Sequence, residues 1–374
     1  MSGYLLKNCT LWGSGTAADI LVEGDRVARI APSQTAEGVK TVDLTGKTVL
    51  PGFFNAHVHL YGVHGPLPDE LLQRFARGGV TTVRDMGVTA PISYQTYLEW
   101  LARRSGPEYP SVISAGKFIC GANTYGAVHP SGAVIGEIFD GTVSGAVAAV
   151  AAMADAGARL IKTGLDYGMD ASDPLEYLSE ETFRAICRRA KERGLPASAH
   201  ITKTDNFLRA SRWGLSESAH VTHSPMTDEE VSEAAASGMA FTATLSIFDM
   251  VSAETGEKIM DDALSNTCRL YRAGMPMAVG TDFMFENPPY QTVGIPVHEL
   301  RLLRKAGLSL DEIIRAATID SARVCGVAGE TGSIEEGKRA DIIAVSAPVD
   351  DTFRAFETIP FVMNRGSIIK HMPR

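Results

Sequence analysis

The sequence has little of what a protein needs to bind a polyanion or to enter a membrane. Its 374 residues include 35 lysines and arginines against 44 aspartates and glutamates, which gives a formal net charge of −9. An acidic chain does not attract a polyanion, so we expect no nucleic-acid partner. The alanine-rich apolar stretch 141–154 is shorter than the roughly 20 residues that a membrane-spanning helix needs. We therefore expect no membrane partner.

Cysteine is also scarce, and its distribution argues against a disulfide framework. The chain has five cysteines, and no two of them form a CxxC pair. An odd number of scattered cysteines predicts reduced thiols, as in a protein of the cytoplasm. The first residues lack a basic segment followed by an apolar core, so no secretory signal is expected. These absences predict a cytoplasmic location.

Both ends of the chain consist of short β-like runs with turn residues between them. Residues 19–22 and 26–30, for example, flank a Gly-Asp turn and predict a hairpin. The last forty residues follow the same pattern. We predict that residues 1–50 and 330–374 together form one small β-sandwich domain.

The middle of the chain, residues 51–329, alternates short apolar strands with helical stretches of about 10–15 residues, which is typical of parallel βα units. The eight predicted strands are 49–57, 80–85, 111–115, 160–163, 196–200, 217–221, 239–244 and 277–282. The clearest predicted helices are 178–193, 228–236 and 310–317. Glycines and a proline interrupt the uncharged stretch 118–136, which predicts a loop. Eight such units predict an α/β fold with a (β/α)8 TIM-like barrel.

Several predicted strands end in side chains that can bind a metal ion. His57 and His59 are two residues apart on the first strand and therefore project from the same face. The fourth, fifth, sixth and eighth strands end at Lys162, His200, His220 and Asp282. Each of these residues alone has an ordinary structural role, such as a helix N-cap for an aspartate. Their coincidence at strand ends, where this fold has its active sites, favours a metal centre.

The residue types indicate which metal chemistry the centre supports. Imidazole and carboxylate groups suit a borderline divalent ion such as zinc. The ammonium group of a protonated lysine has no lone pair with which to bind a metal ion. After reaction with CO2, however, Lys162 becomes an anionic carbamate that can bridge two ions. The sixth strand offers two histidines, and His220, which closes the strand, is favoured over His223 in the loop beyond it.

Three motifs resemble the amidohydrolase superfamily of metal-dependent barrel hydrolases. The segment 50–60, with the sequence LPGFFNAHVHL, resembles its first-strand signature, and GVTTVRD at 79–85 resembles its second strand. Residues 317–323 and 332–342 resemble its return into the small domain, so the resemblance covers almost the whole chain. It implies metal ligands at His57, His59, Lys162, His200, His220 and Asp282. It further implies one or two zinc ions, with carboxylated Lys162 bridging two, and Asp282 as the catalytic carboxylate.

Within the superfamily, the fourth-strand lysine makes the chain most similar to one branch. That branch contains imidazolonepropionase-like proteins, prolidase-like carboxypeptidases and ochratoxinase-like amidases. Its frequent Gly-Gly-His loop after the third strand is replaced here by residues 121–129. Tyr125 and His129 in this loop, and His223 after the sixth strand, are the candidate substrate-binding residues.

The resemblance implies a hydrolase that cleaves an amide-type C–N bond in a dipeptide, an N-acyl amino acid or an aryl amide. Cyclic amide or imidazolone hydrolysis, deamination, and ester or carbamate cleavage remain alternatives on the same site. A non-catalytic metal-binding barrel is the second alternative, although a structural zinc site needs only four closed ligands. We expect a small-molecule substrate and a homo-oligomer.

Two sets of residues bear on specificity. Arg84, Lys203 and Arg212 lie near predicted strand ends and are candidates to bind a substrate carboxylate. An apolar or aromatic pocket rim is suggested by Phe248, Met250, Phe283, Met284, Phe285 and Tyr290.

Overall fold

The computed structural model describes residues 3–127, 134–166, 176–346 and 348–372. The strands in these ranges are β1 (Gly3–Leu11), β2 (Ala17–Glu23), β3 (Arg26–Ala31), β4 (Lys40–Asp43), β5 (Thr48–Pro51), β6 (Phe53–Val58), β7 (Tyr61–Gly62), β8 (Gly65–Pro66), β9 (Val80–Asp85), β10 (Ser111–Ser114), β11 (Phe118–Gly121), β12 (Gly136–Phe139), β13 (Ile161–Gly164), β14 (Ala197–His200), β15 (Glu217–Ser218), β16 (Ala240–Ala243), β17 (Met277–Val279), β18 (Ile342–Val345), β19 (Phe361–Asn364) and β20 (Ser367–His371).

Helices connect most of the central strands. They are α1 (Asp69–Arg77), α2 (Tyr94–Ala102), α3 (Val143–Asp155), α4 (Glu180–Glu192), α5 (Thr204–Arg212), α6 (Asp228–Ala236), α7 (Leu245–Thr255), α8 (Met260–Arg272), α9 (Val297–Ala306), α10 (Leu310–Arg315) and α11 (Ser321–Val324). Local sequence explains where several of them begin. Thr227, for example, accepts a hydrogen bond from the backbone N–H of Glu230, whose carboxylate accepts one from the Thr227 N–H, and this capping box starts α6.

Each of the eight predicted central strands overlaps an observed strand, and the α/β prediction is confirmed. Strands β10, β9 and β6 form one parallel sheet, and β13 to β17 form a second parallel sheet in chain order. At one edge, the backbone N–H of Arg159 donates to Ser114 O over 2.8 Å. At the other, the N–H of Phe283 donates to His57 O and the N–H of His59 donates to Phe283 O. Backbone hydrogen bonds thus connect both edges of the two sheets.

The segment after the third central strand departs from the prediction. The loop expected over 118–136 contains strand β11, and strand β12 begins at its end. These two strands pair in parallel with each other, from the Phe118–Gly136 pair to the Gly121–Phe139 pair. Two of the glycines that suggested a loop lie at strand ends instead, since Gly121 ends β11 and Gly136 begins β12.

The two chain ends share one sheet. Strands β1 to β5 hydrogen-bond with β18, β19 and β20 in a mixed eight-stranded sheet, in which β5 pairs in parallel with β1 and antiparallel with β18. The two-layered sandwich expected from the sequence stays a prediction.

The first predicted strand, 49–57, is in fact two strands that belong to different sheets. Gly52 separates β5 from β6, and a Cβ atom at this position would lie 2.1 Å from Thr81 Oγ1. Only a residue without a side chain fits there, so the change of sheet occurs at this glycine.

Apolar residues of the strands and helices fill one large core between them, with a separate cluster inside the terminal sheet. Among the residues that the structure describes, none of the helices is both long and apolar enough to cross a bilayer.

A buried ion pair joins two strands of different sheets. Arg84 on β9 donates through Nη1 to Glu217 Oε2 on β15 over 2.7 Å, and it also contacts Glu217 Oε1. Its Nε donates to Ala56 O over 2.8 Å, and Nη2 donates to Thr242 Oγ1 over 2.9 Å. Arg84 and Glu217 are both almost fully buried, so each charge needs the other to offset the loss of its hydration.

We predict that Glu217→Gln lowers the free energy of unfolding by about 3–5 kcal/mol, because the Arg84 guanidinium would stay buried without its counter-charge. Urea unfolding followed by circular dichroism measures the change. Glu233→Gln in the exposed Arg212–Glu233 pair is the matched control and should change stability little, since water screens that pair. Equal effects of the two variants would contradict the prediction.

Candidate metal centre

Two histidines and an aspartate meet at the carboxyl ends of β6 and β17. Asp282 Oδ1 lies 3.1 Å from His57 Nε2 and 3.2 Å from His59 Nε2. The three ligand atoms lie within 4.8 Å of one another. The alternation of β6 directs both imidazoles to the same side, and Asp282 arrives from the segment after β17.

The other ring nitrogens determine what these imidazoles offer. His57 Nδ1 lies 3.0 Å from Ala219 O, and His59 Nδ1 lies 2.9 Å from Gly87 O. A carbonyl oxygen only accepts, so each Nδ1 carries a proton, and a ring in its neutral form presents an Nε2 lone pair to Asp282. Metal-binding histidines are typically oriented in this way. Burial lowers the pKa of His57 to about 4, which keeps that ring in its neutral form.

Asp282 is held in an unusual backbone conformation. Its φ angle of 54° is in the left-handed region, which is uncommon for a residue other than glycine. The preceding Thr281 accepts a hydrogen bond through Oγ1 from Asn55 Nδ2 over 2.8 Å and donates its backbone N–H to Asn55 Oδ1. Burial alone would raise the pKa of Asp282, but the contacts with the His57 and His59 rings hold it well below its usual range when those rings carry a second proton.

The cluster fits a cation better than it fits the protein atoms alone. Oδ1 of Asp282 is buried and has no hydrogen-bond partner among the described residues. A carboxylate oxygen that faces two nitrogen lone pairs is repelled by both, and a divalent ion between them removes that repulsion. The donor set of imidazole nitrogen and carboxylate oxygen suits zinc.

A second pair of histidines lies beside the first group. His200 Nδ1 and His220 Nε2 are 3.0 Å apart, and His220 Nδ1 lies 2.8 Å from Thr244 Oγ1. The ring centroids of His57 and His220 are 4.8 Å apart. Burial and the neighbouring His200 and His57 rings hold the pKa of His220 well below its usual value. These two nitrogens point at each other and could hold a second ion.

Lys162 on β13 lines the same cavity and is almost fully buried. Burial lowers the pKa of Lys162 to about 7, although the charges of Asp282 and Glu217 oppose the shift. An amine with this pKa is partly neutral near pH 7. The neutral amine is the form that reacts with CO2, so the surroundings of Lys162 are compatible with carboxylation.

The predicted substrate-binding residues have different surroundings. Tyr125 lines the cavity and stacks on His200, with ring centroids 4.1 Å apart. His223 packs edge-on against Phe248 at 5.1 Å and is not among the described residues that line the cavity. The Nε2 atom of His223 is buried and has no hydrogen-bond partner among the described residues. His129 lies outside the described residues.

The metal-capable residues lie at the base of a cavity of about 750 Å³. Two elements form much of its wall, and of the wall residues in them only Met250 was predicted from the sequence. One is the β7–β8 hairpin with His64 at its tip, and the other is helix α7, which contributes Ile247, Met250 and Val251. Alternating apolar residues give no signal for such a wall, because the same residue types fill the core.

The predicted apolar rim is present in part. Met250, Met284 and Phe285 line the cavity, whereas Phe248 and Phe283 are fully buried behind it. Tyr290 is not among the lining residues that the structure describes, and it packs edge-on against the ring of His298.

The three side chains that were candidates to bind a substrate carboxylate are either paired with a protein carboxylate or absent from the described cavity wall. Arg84 is paired with Glu217, and Arg212 is exposed and paired with Glu233. Lys203 lies directly before α5 and is not among the described residues that line the cavity.

The sequence profile of the Amidohydrolase family matches residues 48–372. The chain belongs to the amidohydrolase family. It is therefore an enzyme, and metal dependence is typical of the family. Family membership also supports a small-molecule substrate.

Solved structures are similar to this amidohydrolase over their whole length. A protein from Bifidobacterium longum, provisionally described as a prolidase, is 26% identical with a TM-score of 0.82, over 100% of this chain and 96% of the other. The ochratoxinase of A. niger is 19% identical with a TM-score of 0.79, over 99% and 95% of the two chains. These likenesses show a TIM-barrel-like α/β fold.

A curated relative matches over a much shorter stretch. The dihydroorotase of Bacillus cytotoxicus is 33% identical over 108 residues, which cover 27% of this chain. The match spans only 25% of the dihydroorotase.

We predict that His220→Ala lowers the zinc content of the purified protein, whereas His223→Ala leaves it unchanged and alters only rates. His220 points a ring nitrogen at His200, and His223 packs against Phe248 instead. Elemental analysis after expression with added zinc measures the number of ions per chain. His57→Ala and His59→Ala should also lower it, since each removes a ligand. Loss of metal from His223→Ala alone would contradict the assignment.

Proposed function

We propose that this amidohydrolase cleaves an amide-type C–N bond in a small substrate, with zinc as its metal. The observation that carries the proposal is the convergence of His57, His59 and Asp282 at the base of one cavity, with Lys162 and the His200–His220 pair beside them. Bond cleavage in such a site needs metal ligands, a proton acceptor and room for a substrate, and these residues and their cavity offer all three.

The proposed ligands divide into two groups and a bridge. His57, His59 and Asp282 would hold one ion, and His200 with His220 would hold a second. Carboxylated Lys162 would bridge the two ions. A divalent ion bound there would make water nucleophilic at neutral pH, because coordination lowers the pKa of water from about 15.7 to about 7.

Asp282 is the proposed proton carrier. Its carboxylate would accept a proton from the attacking water. It would then donate that proton to the leaving nitrogen, which cannot depart as an amide anion. Tyr125, which lies over His200, is positioned to contact the substrate carbonyl oxygen. His129 and His223 stay candidates for the same contact.

Linear amides are the proposed substrates: dipeptides, N-acyl amino acids or aryl amides. The full-length likeness to the Bifidobacterium longum protein, provisionally described as a prolidase, supports this class. Cyclic amide hydrolysis is the second candidate, and the partial match to dihydroorotase favours it. Chromatography of the products separates the two candidates, since a linear amide yields two molecules and a cyclic amide yields one.

We also propose the larger organisation expected from the sequence. Residues 51–329 would form the closed barrel, and residues 1–50 and 330–374 would form the small β domain. The hydrogen bonds at both edges of the two central sheets and the shared sheet of the chain ends support this division. A cytoplasmic homo-oligomer completes the proposal, and light scattering would test the oligomeric state.

We predict that Asp282→Asn lowers turnover about 10²-fold or more, the usual scale for the loss of general acid–base catalysis. Asparagine keeps the shape and an oxygen donor but cannot carry the proton. Steady-state assays on an amide panel measure the loss, with metal content and circular dichroism as controls for folding. Unchanged turnover with full metal content would contradict the role of Asp282.

Lys162→Ala should lose most of the activity and part of the metal if a carbamate bridges two ions. A short carboxylic acid such as propionate should restore part of both, because it supplies the missing oxygens. Lys203→Ala is the matched control and should keep its metal, since Lys203 is not among the described residues of the cavity wall. Full metal occupancy in Lys162→Ala would indicate that Lys162 does not bridge.

A further inference from the structure

The cavity has a charge pattern that points to a narrower substrate class. We propose that it selects neutral, apolar amides and discriminates against a free carboxylate next to the scissile bond. This inference rests on the proposed amide hydrolysis and deepens it, because it separates a neutral amide from a dipeptide or an N-acyl amino acid.

The first observation is that the described cavity wall has no lysine or arginine apart from Lys162. Among the residues that the structure places there, Lys162 is the one ammonium group, and no guanidinium is present. Lys162 lies among the metal-capable residues and is assigned to them. The segments 128–133 and 167–175 outside the described residues contain neither lysine nor arginine, so they have no such group to contribute.

The second observation is that nearby cations are committed elsewhere. The Arg84 guanidinium is bound through both terminal nitrogens to Glu217 beneath the strand ends. Lys117 directly precedes Phe118 of the cavity wall, and its Nζ lies 3.1 Å from Glu137 Oε2. A substrate carboxylate would have to compete with these protein carboxylates for its partner.

The third observation is the character of the wall itself. Ile247, Met250 and Val251 of α7 contribute apolar surface, as do Phe118 and Ile135. A carboxylate placed against these side chains would lose its hydration without gaining a partner, which is unfavourable. An aromatic or aliphatic group placed there gains from leaving water.

The charged residue at the rim works in the same direction. Glu257 lies at the exposed end of α7 and brings a carboxylate to the cavity mouth. It repels an anion on entry and does not hinder a neutral molecule. The imidazole of His64 in the β7–β8 hairpin can hydrogen-bond a neutral substrate.

Two substrates that differ only in the carboxylate test the proposal. N-phenethylbenzamide and N-benzoyl-L-phenylalanine share the benzoyl group, the scissile amide and the phenethyl skeleton. We expect kcat/KM of the zinc-loaded enzyme at pH 8 to be at least 10-fold higher for the neutral compound. Equal values, or a preference for the acid, would overturn the inference while leaving amide hydrolysis intact.

If neither compound is hydrolysed, the proposed function fails for this class, and binding still decides the inference. Titration calorimetry with zinc-loaded Asp282→Asn should then show at least 10-fold tighter binding of the neutral compound. Tighter or equal binding of the acid would overturn it.

A variant with a new cation tests the cause of the preference. Val251 is a partly buried wall residue on α7, remote in sequence from the metal-capable side chains. Val251→Lys should shift the acid-to-amide ratio of kcat/KM, or of affinity, about 10-fold toward the acid, and Val251→Leu should leave that ratio unchanged. An unchanged ratio in Val251→Lys, with metal content intact, would contradict the charge argument.

Discussion

The structure is organised around a carboxylate oxygen that faces nitrogen lone pairs in a buried site. Oδ1 of Asp282 lies within 3.2 Å of Nε2 of both His57 and His59, and the carbonyls of Ala219 and Gly87 prevent either ring from presenting a proton there while it is neutral. Such an arrangement is costly without a cation, because burial removes the water that would screen it. The strand ends keep these groups together. The free energy of ion binding then compensates for the cost of this arrangement and stabilises the fold.

The parts of the fold that repeat could be predicted from the sequence. Alternating strands and helices predicted all eight central strands, and the two-residue spacing of His57 and His59 predicted that they share a face. Asp282, Lys162, His200 and His220 followed from their positions at strand ends. These inferences succeed because the period of a strand and the location of its carboxyl end are local properties of the chain.

Other features depend on residues far apart in the sequence and gave no local signal. The acceptors for the two Nδ1 protons, Ala219 O and Gly87 O, lie just after β15 and β9, and the partner of Arg84 is 133 positions away. The wall contributed by α7 was predicted only at Met250, for a related reason. Its apolar residues are of the same kind as those of the core, and only the tertiary arrangement shows that one side of the helix faces a cavity.

The change of sheet at Gly52 has a consequence for how the molecule holds together. The strand before this glycine pairs with both chain ends, and the strand after it carries His57 and His59. The two strands are joined directly through this one glycine, and Thr81 excludes a side chain there. The terminal sheet is therefore not an interchangeable module. A disturbance there is transmitted along one continuous stretch of backbone to the metal-capable histidines, so a graft or truncation at this point would displace His57 and His59.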